Sequence, residues 1–428
     1  NFKLDAYGVF TNTPATGPYR ALGAEILCFA IECQMDRVAN ILGIDKVDIR
    51  RKNLLVNGDI DANGQVTKNN ESLAALEEAA KAIEWGKPAT KMEYPWVTAK
   101  GVAMGNKYTM SGSTSSMIVK ICDDGVIEVR HYQIEMGQGC NTVLAQIAAE
   151  SFGVSYDKVK IIFDDSQFCP FDHGTFCSRG TFMNGNALIR ACEAAKKELF
   201  QRTSQVMGIP ADAIGTTNGT VYELTNPENS LPFKALFNNG GWVPELGEIM
   251  GKVAFTYQEG TMDKETGQGE PTAYYSYGAL GMEVAVNVET GDIRVLKALG
   301  YYDAGQVLNQ KAIDGQMDGA FVMGIGQAIF EETMFNTQGK IINGNYRDYK
   351  IPTMLDVPYN KDMFGGFVGK PNPEGPYGAK GIGEVALVPA MPAIANAITA
   401  AMGVELNQLP MSKERVMWAI REHQNQSK

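Results

Sequence analysis

The 428-residue sequence predicts an α+β fold of mixed sheets, with antiparallel hairpins and packed helices. Two pairs of alternating runs carry this prediction, 116–122 with 126–134 and 280–288 with 293–302. A short turn containing Asp and Gly joins each pair, and these residues tolerate the positive φ that a hairpin turn requires. Helical patterns lie between the hairpins and a further strand is predicted at 158–163, so strands and helices are mixed along the chain.

Apolar residues at helical spacing predict the helices. Gly43 suits the end of the first helix, and Asp45 can cap the start of the next. The apolar face of the first helix consists of Leu27, Ala30, Ile31, Met35, Val38 and Leu42. Helices are predicted at 24–42, 45–51, 73–84, 309–332 and 386–402, before Gly153, and after Thr181 through Leu199.

The length of the chain favours two or three domains, because one hydrophobic core rarely grows beyond about 250–300 residues. Gly86-Lys87-Pro88 ends the third predicted helix, and the Pro- and Lys-containing stretch after it predicts a boundary at about 97. We therefore expect one domain within 1–97 and another within 98–428. Residues 203–250 are polar and turn-rich, and the sequence predicts no defined element there.

Composition argues against several kinds of partner. The formal net charge of −11 disfavours nucleic acid and anionic membrane surfaces. The most apolar tract, 386–402, contains Pro389, Pro392 and Asn396, so it predicts a buried helix instead of a membrane span. Seven cysteines without a Cys-x-x-Cys pair indicate reduced thiols in a cytoplasmic protein, instead of a disulfide framework or a zinc site.

Three glycine-rich loops share one design. Met136–Gly139, Cys177–Thr181 and Lys380–Glu384 each precede a predicted helix, whose start offers unpaired N–H groups and partial positive charge to an anion. One such loop is typical of a plain turn, but three favour a large anionic cofactor. No P-loop occurs, and the glycine order within 378–383 does not fit a dinucleotide-binding fold. Glu384 is the leading catalytic candidate, because the glycines let its carboxylate approach a ligand closely.

Five separated segments occur in the order found in a known family. They are Pro18–Gly23, Glu135–Gly139, Cys177–Thr181, Asp303–Phe321 and Gly381–Glu384. Together they resemble the cofactor loops of the molybdenum hydroxylases of the xanthine dehydrogenase and aldehyde oxidase type, which end in a Gly-x-Gly-Glu segment. Gln310 departs from the family pattern, where a proline is usual. The chain is similar to the C-terminal part of that family's molybdopterin-binding subunit.

The resemblance implies a fold, a cofactor and a catalytic base. Residues 1–97 would end a first molybdopterin-binding subdomain, and 98–428 would form a second molybdopterin-binding domain of the xanthine dehydrogenase type. Molybdopterin, in bacteria usually as the cytosine dinucleotide, would hold molybdenum through its dithiolene without a protein ligand to the metal. Glu384 would accept a proton during hydroxylation, and burial would make it a stronger base. Taken alone, Glu384 fits a helix-start acid equally well.

The resemblance also implies residues that contact the cofactor and the substrate. Without it, Arg20 would be a solvated loop cation and Gln316 a buried helix amide. Leu22 stands where xanthine-oxidising members have a phenylalanine, and Met104 aligns near a second one, so both would line a pocket open to shapes other than a flat purine. The implied cofactor contacts are Arg20, Met136, Gly137, Gln138, Gly139, Cys177, Ser178, Arg179, Gly180, Thr181, Gln316, Lys380, Gly381, Ile382 and Gly383.

Several parts of the family are not matched by this sequence, among them its upstream half, the cysteine motifs of 2Fe-2S clusters and a flavin domain. The resemblance therefore implies partners: an N-terminal half of the molybdenum subunit, an Fe-S subunit and an FAD subunit. The substrate would be an aromatic N-heterocycle of the purine or nicotinate type, or an aldehyde. A non-catalytic cofactor carrier or assembly protein with the same fold is the alternative, and an unrelated nucleotide-dependent oxidoreductase is a weaker one.

Overall fold

The computed structural model describes residues 3, 5–163, 165–237, 247–257 and 262–426. Helices and strands are mixed along these residues, which confirms the predicted α+β class. The helices are α1 (Ala24–Leu42), α2 (Lys46–Asn53), α3 (Ser72–Ala82), α4 (Cys140–Phe152), α5 (Gly185–Met207), α6 (Gln310–Ile325), α7 (Ala390–Met402) and α8 (Lys413–Gln426). The strands are β1 (Trp96–Tyr108), β2 (Thr114–Ile121), β3 (Ile127–Arg130), β4 (Val159–Ile162), β5 (Ile214–Thr217), β6 (Thr220–Glu223), β7 (Asn226–Pro232), β8 (Ile249–Thr256), β9 (Tyr275–Asn287), β10 (Ile293–Asp303) and β11 (Met363–Val368).

One hydrophobic core forms around a sheet in the order β1-β9-β10-β11. β9 pairs antiparallel with β1 and β10, whereas β11 pairs parallel with β10. The β9–β10 hairpin confirms the pairing predicted from the sequence. Apolar side chains of α6, α7 and α8 fill this core. The boundary predicted at 97 falls at the start of β1, and the division into 1–97 and 98–428 stays a prediction.

A second core forms around a sheet in the order β4-β3-β2-β8, covered by α4 and α5. β2 and β3 pair antiparallel, as the sequence predicts, and β4 joins β3 in parallel. A third sheet, β5-β6-β7, is antiparallel and lies within the stretch for which the sequence predicted no element. β7 is mostly exposed, so it lacks the alternation of apolar and polar residues by which a half-buried strand is recognised.

A glycine lies under the covering helix in each of the two larger sheets. A Cβ at Gly101 of β1 would collide with the Ala393 carbonyl of α7, and a Cβ at Gly251 of β8 would collide with the Ala191 carbonyl of α5. These glycines let the helix backbone approach the strand directly, which explains a residue that is otherwise unfavourable in a strand.

The span of α1 confirms the predicted helix at 24–42, but its apolar face points away from the protein. Leu27 and Ile31 are 60% and 61% exposed. The buried face is polar, and it consists of Glu25, Cys28, Glu32, Asp36 and Ala39. An exposed apolar helix face of this kind is typical of a binding surface.

α7 is buried along most of its length, as predicted for the apolar tract at 386–402, although the helix begins later, at Ala390. Among the described residues, no helix is long and apolar enough to span a membrane. All seven cysteines are free thiols. α6 ends at Ile325 and passes into a π-helix at Gly326–Phe330, close to the predicted end of that helix at 332.

Candidate active site

The carboxylate of Glu384 is buried and held by groups from three distant segments. The Ala21 N–H donates to Oε1 at 3.2 Å, and the Ser178 hydroxyl donates to Oε2 at 3.0 Å. The Lys107 ammonium lies 3.7 Å from Oε2. These contacts fix the direction of the carboxylate without covering it with apolar groups.

Lys107 brings a buried positive charge to this carboxylate. Its side chain is only 1% exposed, and its ammonium lies 3.7 Å from the Tyr108 ring centroid. The thiol of Cys177 is close by, 3.7 Å from the Tyr108 hydroxyl; burial raises the pKa of this thiol, while Lys107 opposes that rise. Glu25 is a second buried carboxylate near Glu384 and Lys107, and burial raises its pKa.

Arg20 connects the Glu384 loop to α6. Its Nε donates to the Gly383 carbonyl at 2.5 Å, and its Nη2 donates to the backbone carbonyl and side-chain Oε1 of Gln316 at 3.2 and 3.1 Å. Burial lowers the pKa of Arg20, and the neighbouring Glu384 charge opposes that shift. The structure therefore brings three of the sequence-predicted segments together through one guanidinium.

The two backbone turns that contact the Glu384 carboxylate take unusual conformations. Ala21 and Leu22 have φ values of 76° and 52°, and Cys177 and Ser178 have 46° and 51°. Residues other than glycine rarely take positive φ, and such strained positions are concentrated at functional sites. The two strained turns supply the groups that hydrogen-bond to Glu384, the Ala21 N–H and the Ser178 hydroxyl.

Gly381 allows the Glu384 loop to lie directly against the Ser178 loop. A Cβ at Gly381 would collide with the Ser178 carbonyl. The Gly381 N–H donates to the Tyr274 hydroxyl at 2.6 Å, and the Ser276 hydroxyl donates to the Gly381 carbonyl at 2.9 Å. Burial raises the pKa of Tyr274 to about 12, so its hydroxyl stays neutral. Backbone contact between the two loops sets the distance between Ser178 and Glu384.

Arg179 and Lys380 are predicted cofactor contacts, but their side-chain N–H groups donate hydrogen bonds to other residues of the protein. Arg179 is fully buried, and its five N–H groups reach Ser113, Thr114, Ser115, Asp172 and Gly174. Lys380 pairs with Asp303 at 2.7 Å and also donates to the carbonyls of Asn69 and Tyr275. Both cations hold their loops in place, since every N–H is already used.

The predicted loop Met136–Gly139 is organised around the Glu135 carboxylate. Oε1 accepts from the N–H groups of Gly137 and Gly139 at 3.0 and 2.9 Å, and Oε2 accepts from Asn141 N–H at 3.1 Å. Burial opposes ionisation of Glu135, but these hydrogen bonds outweigh it and hold its pKa below the usual range. The N–H of Met136 is likewise used, donating to Gln138 Oε1 at 2.7 Å. Three of the four backbone donors of this loop are thus engaged by the loop itself.

Gly180 and Thr181 begin a π-helix, Gly180–Asn184, that leads into α5. The Gln133 amide packs over Gly180, which ties this start to the end of β3. A helix start leaves N–H groups without intrahelical partners, and short π-helical turns are common at functional sites.

Leu22 and Met104, the two residues predicted to line the substrate pocket, lie in different surroundings. Leu22 is partly exposed and follows the Arg20–Ala21 turn. Met104 packs into a cluster with Val47, Leu76 and Ala279, so the structure does not bring it to Glu384. Ile382 is buried in the first core between the loop glycines. Within the described residues, no cluster of three or more His, Cys, Asp or Glu side chains could hold a metal ion.

Sequence reasoning missed Lys107, Glu25 and Tyr274. Lys107 lies on β1, three residues beyond Met104, and a lysine on a strand gave no sign of burial. Glu25 lies directly after the Pro18–Gly23 segment, and Tyr274 begins the tyrosine-rich stretch at the start of β9. A buried charge is detectable in a sequence only through its partners, and these partners are remote.

The comparison with known proteins decides the family. Residues 75–358 match the model of a family described as a molybdopterin cofactor-binding domain, and residues 1–54 match a second model of the same description. The first match alone covers more than half of the chain. The chain belongs to the molybdopterin cofactor-binding domain family. This confirms the resemblance found in the sequence.

Relatives of this molybdopterin-binding chain are longer than the chain. It is 30% identical over 420 residues to the putative xanthine dehydrogenase molybdenum-binding subunit of Escherichia coli (strain K12), a match that covers 95% of the chain and 54% of the relative. The chain therefore spans about half the length of this curated relative.

Solved structures share the fold of this molybdopterin-binding chain. The aldehyde oxidoreductase from Desulfovibrio gigas superposes with a TM-score of 0.78 at 27% identity, over 94% of this chain and 41% of that one. Quinoline 2-oxidoreductase from Pseudomonas putida 86 superposes with a TM-score of 0.79 at 24% identity, over 94% and 53% of the two chains. Its lower identity supports the fold alone.

Proposed function

We propose that the chain is the cofactor-binding part of a molybdenum hydroxylase of the xanthine dehydrogenase and aldehyde oxidase type, and that Glu384 is its catalytic base. One observation carries the proposal: a buried carboxylate stands where the Arg20, Ser178 and Gly381–Gly383 segments meet. A buried acid held by groups from remote segments is typical of an active site, whereas an acid that only stabilises a helix needs its own helix alone.

The groups around Glu384 fit an anionic pterin cofactor. Arg20 and Lys107 bring positive charge, and the π-helical start at Gly180 offers backbone N–H groups. A Cβ at Gly383 would meet nothing nearer than the Ser178 hydroxyl at 4.0 Å, so the backbone there is open to a ligand. We propose that the sequence-predicted loops contact the cofactor, with Arg179 and Lys380 acting by holding their loops.

The bound cofactor would supply molybdenum, which takes up the electrons when the substrate is hydroxylated with oxygen derived from water. Glu384 accepts the proton that this reaction releases at the site. The Ser178 hydroxyl and the Ala21 N–H keep the carboxylate oxygens pointed in one direction. The Lys107 ammonium, 3.7 Å from Oε2, adds a positive charge beside the group that accepts the proton.

The finer parts of the proposal concern substrate, cofactor form and partners. We expect an aromatic N-heterocycle of the purine or nicotinate type, or an aldehyde, as substrate, and molybdopterin cytosine dinucleotide as the cofactor form. Electrons would pass to 2Fe-2S clusters and FAD on partner chains, in a cytoplasmic complex completed by the remaining part of the molybdenum subunit. The partial coverage of the relatives, and the names of two of them as molybdenum-binding subunits, support the expectation of partner chains.

The test is the metal and cofactor content of the complex purified from the native organism. We expect about one molybdenum per copy of this chain by plasma mass spectrometry, and a pterin released by acid extraction. An active preparation without molybdenum would overturn the proposal. A complex with bound pterin but no turnover towards N-heterocycles or aldehydes would favour the non-catalytic carrier.

A further inference from the structure

The outer surface of α1 is the least expected feature of the molecule. Leu27, Ile31 and Leu42 follow one stripe of the helix, and each is exposed by 60% or more. Ile26 and Ile41 lie beside this stripe and are at least as exposed as Leu27. An exposed apolar stripe of this length is characteristic of a binding surface.

α1 cannot turn this stripe inward, because its opposite face is tied down by charged contacts. Glu32 accepts from the Arg50 Nε at 2.6 Å and from the Met104 N–H at 2.8 Å. Asp36 pairs with Lys46 at 3.0 Å and with Arg50 at 2.8 Å. These buried ion pairs would be broken by rotation of the helix, and breaking a buried pair is strongly unfavourable. The outward direction of the apolar stripe is therefore built into the fold.

A groove borders the apolar stripe on the side of α7. It has a volume of about 330 Å³ and lies between α1 and the segment after α7. Ile26, Phe29, Ala30 and Leu406 supply apolar lining, and Arg37 and Glu405 supply charge. The stripe and the groove together are called the α1 surface below.

We infer that the α1 surface binds the part of a molybdenum-binding subunit that this chain does not span. The α1 surface lies mainly within residues 1–54, which match a cofactor-binding domain model distinct from the one that matches 75–358. A stretch of that length buries too little apolar surface to be stable alone. The match covers 54% of the Escherichia coli relative, so a large part of such a subunit lies outside the chain. This inference rests on the proposed function, since it takes the chain to be part of such a subunit.

The test uses the tagged chain expressed in its native organism and purified with whatever it binds. The variant Leu27→Glu with Ile31→Glu places two charges on the α1 surface. The matched control, Val206→Glu with Leu224→Glu, places two charges at exposed apolar positions outside the α1 surface. Peptide mass spectrometry identifies the bound polypeptide, and light scattering gives the mass of the complex.

The wild type and the control should carry one polypeptide whose sequence matches the uncovered part of molybdenum-binding subunits. The Leu27→Glu, Ile31→Glu variant should retain at most about a tenth of the bound polypeptide. Binding would desolvate the two new charges without giving them partners. The circular dichroism and melting temperature of the free variant chain should equal those of the free wild-type chain, since both side chains are exposed. Amide exchange across 24–42 should be slower in the complex than in the free chain.

Three results would overturn the inference: retention of the polypeptide by the Leu27→Glu, Ile31→Glu variant, a bound mass that consists only of a second copy of this chain, or a wild type that carries no polypeptide of this family. Molybdenum content in the same preparations separates this inference from the proposed function. A wild-type complex without molybdenum whose assembly still depends on Leu27 and Ile31 would remove the enzyme and keep the binding surface.

Discussion

Two glutamates each lie next to a glycine-rich loop, but their hydrogen-bond partners lie at very different distances along the chain. Glu135 bonds to Gly137, Gly139 and Asn141, all within six residues of it in the chain. Glu384 bonds to Ser178 and Ala21, which are 206 and 363 residues away. The first carboxylate closes its own loop, and the second is held by loops other than its own.

This difference distinguishes a glutamate that stabilises its own loop from a glutamate that is placed to take part in catalysis. Glu135 has its oxygens taken by backbone N–H groups, which stabilise its charged form against the cost of burial and lower its pKa. Glu384 has one hydroxyl, one N–H and one ammonium around it, and its loop is open at Gly383. We therefore expect changes at Glu384 to affect turnover, and changes at Glu135 to affect stability.

The largest expected effect is that of Glu384→Gln on turnover. Removing the proton acceptor should lower kcat by about a thousandfold, because a general base contributes roughly 10²–10⁴. The measurement is dye-linked oxidation by the complete complex with a panel of N-heterocycles and aldehydes. Molybdenum content should remain unchanged, since the amide can still accept from Ala21 N–H, whereas the melting temperature should fall because the buried Lys107 ammonium loses its charged partner. Retention of more than a tenth of the wild-type rate would rule out Glu384 as the base.

An intermediate effect is expected for Ser178→Ala. Loss of the 3.0 Å hydrogen bond leaves the carboxylate in place but less firmly oriented, and kcat should fall about tenfold. KM should change little if the hydroxyl acts only on Glu384. In the Glu384→Gln background, Ser178→Ala should have almost no further effect on the residual rate, because the two residues act as a unit. Additive losses in the double variant would contradict this coupling.

The smallest effect on activity and a clear effect on stability are expected for Glu135→Gln. The loop loses charge-assisted hydrogen bonds at a partly exposed position, so the free energy of unfolding should fall by about 1 kcal/mol. The pKa of Glu135 is lower in the folded state, so its contribution is present above the ordinary value of 4.5 and is lost as the pH falls through the folded value. Urea unfolding between pH 7 and pH 3 should therefore show a smaller loss of stability for Glu135→Gln than for the wild type. Parallel pH curves for the two proteins would show that the carboxylate contributes no ionised-state stability.

The elements that the sequence predicted well are those whose signals are local. The helix at 24–42, the two hairpins and the strand at 158–163 follow from periodicity and turn residues a few positions apart. The Glu384 loop was also predicted, because its glycines and carboxylate lie within seven residues. Membership of the family followed from five such segments in order, each local in itself.

The features that the sequence did not predict depend on remote partners. β1 was missed because Gly101 and Lys100 are poor strand residues, yet Gly101 lies under α7 and Lys100 donates to the Glu84 and Lys87 carbonyls. The buried face of α1 was not predicted for the same reason. Glu32 and Asp36 on this face are paired with Arg50 and Lys46, which lie outside the helix. Lys107 shows the limit most clearly, because its role depends on an acid far along the chain.

The distance along the chain between Ala21 and Glu384 has a consequence for biosynthesis. At a synthesis rate of roughly 5–20 residues per second, the 363 residues between them take about 20–70 s to make. During that interval the strained turn at Ala21 and Leu22 has no carboxylate to bind, so its positive φ angles lack the hydrogen bond that Glu384 provides in the folded protein. The site must therefore close late in folding, together with the first core, which also needs α7 and α8 from beyond Glu384. A ribosome-arrested chain that stops short of Glu384 should therefore carry the second core, whose residues all precede Glu384, and neither a complete first core nor the site.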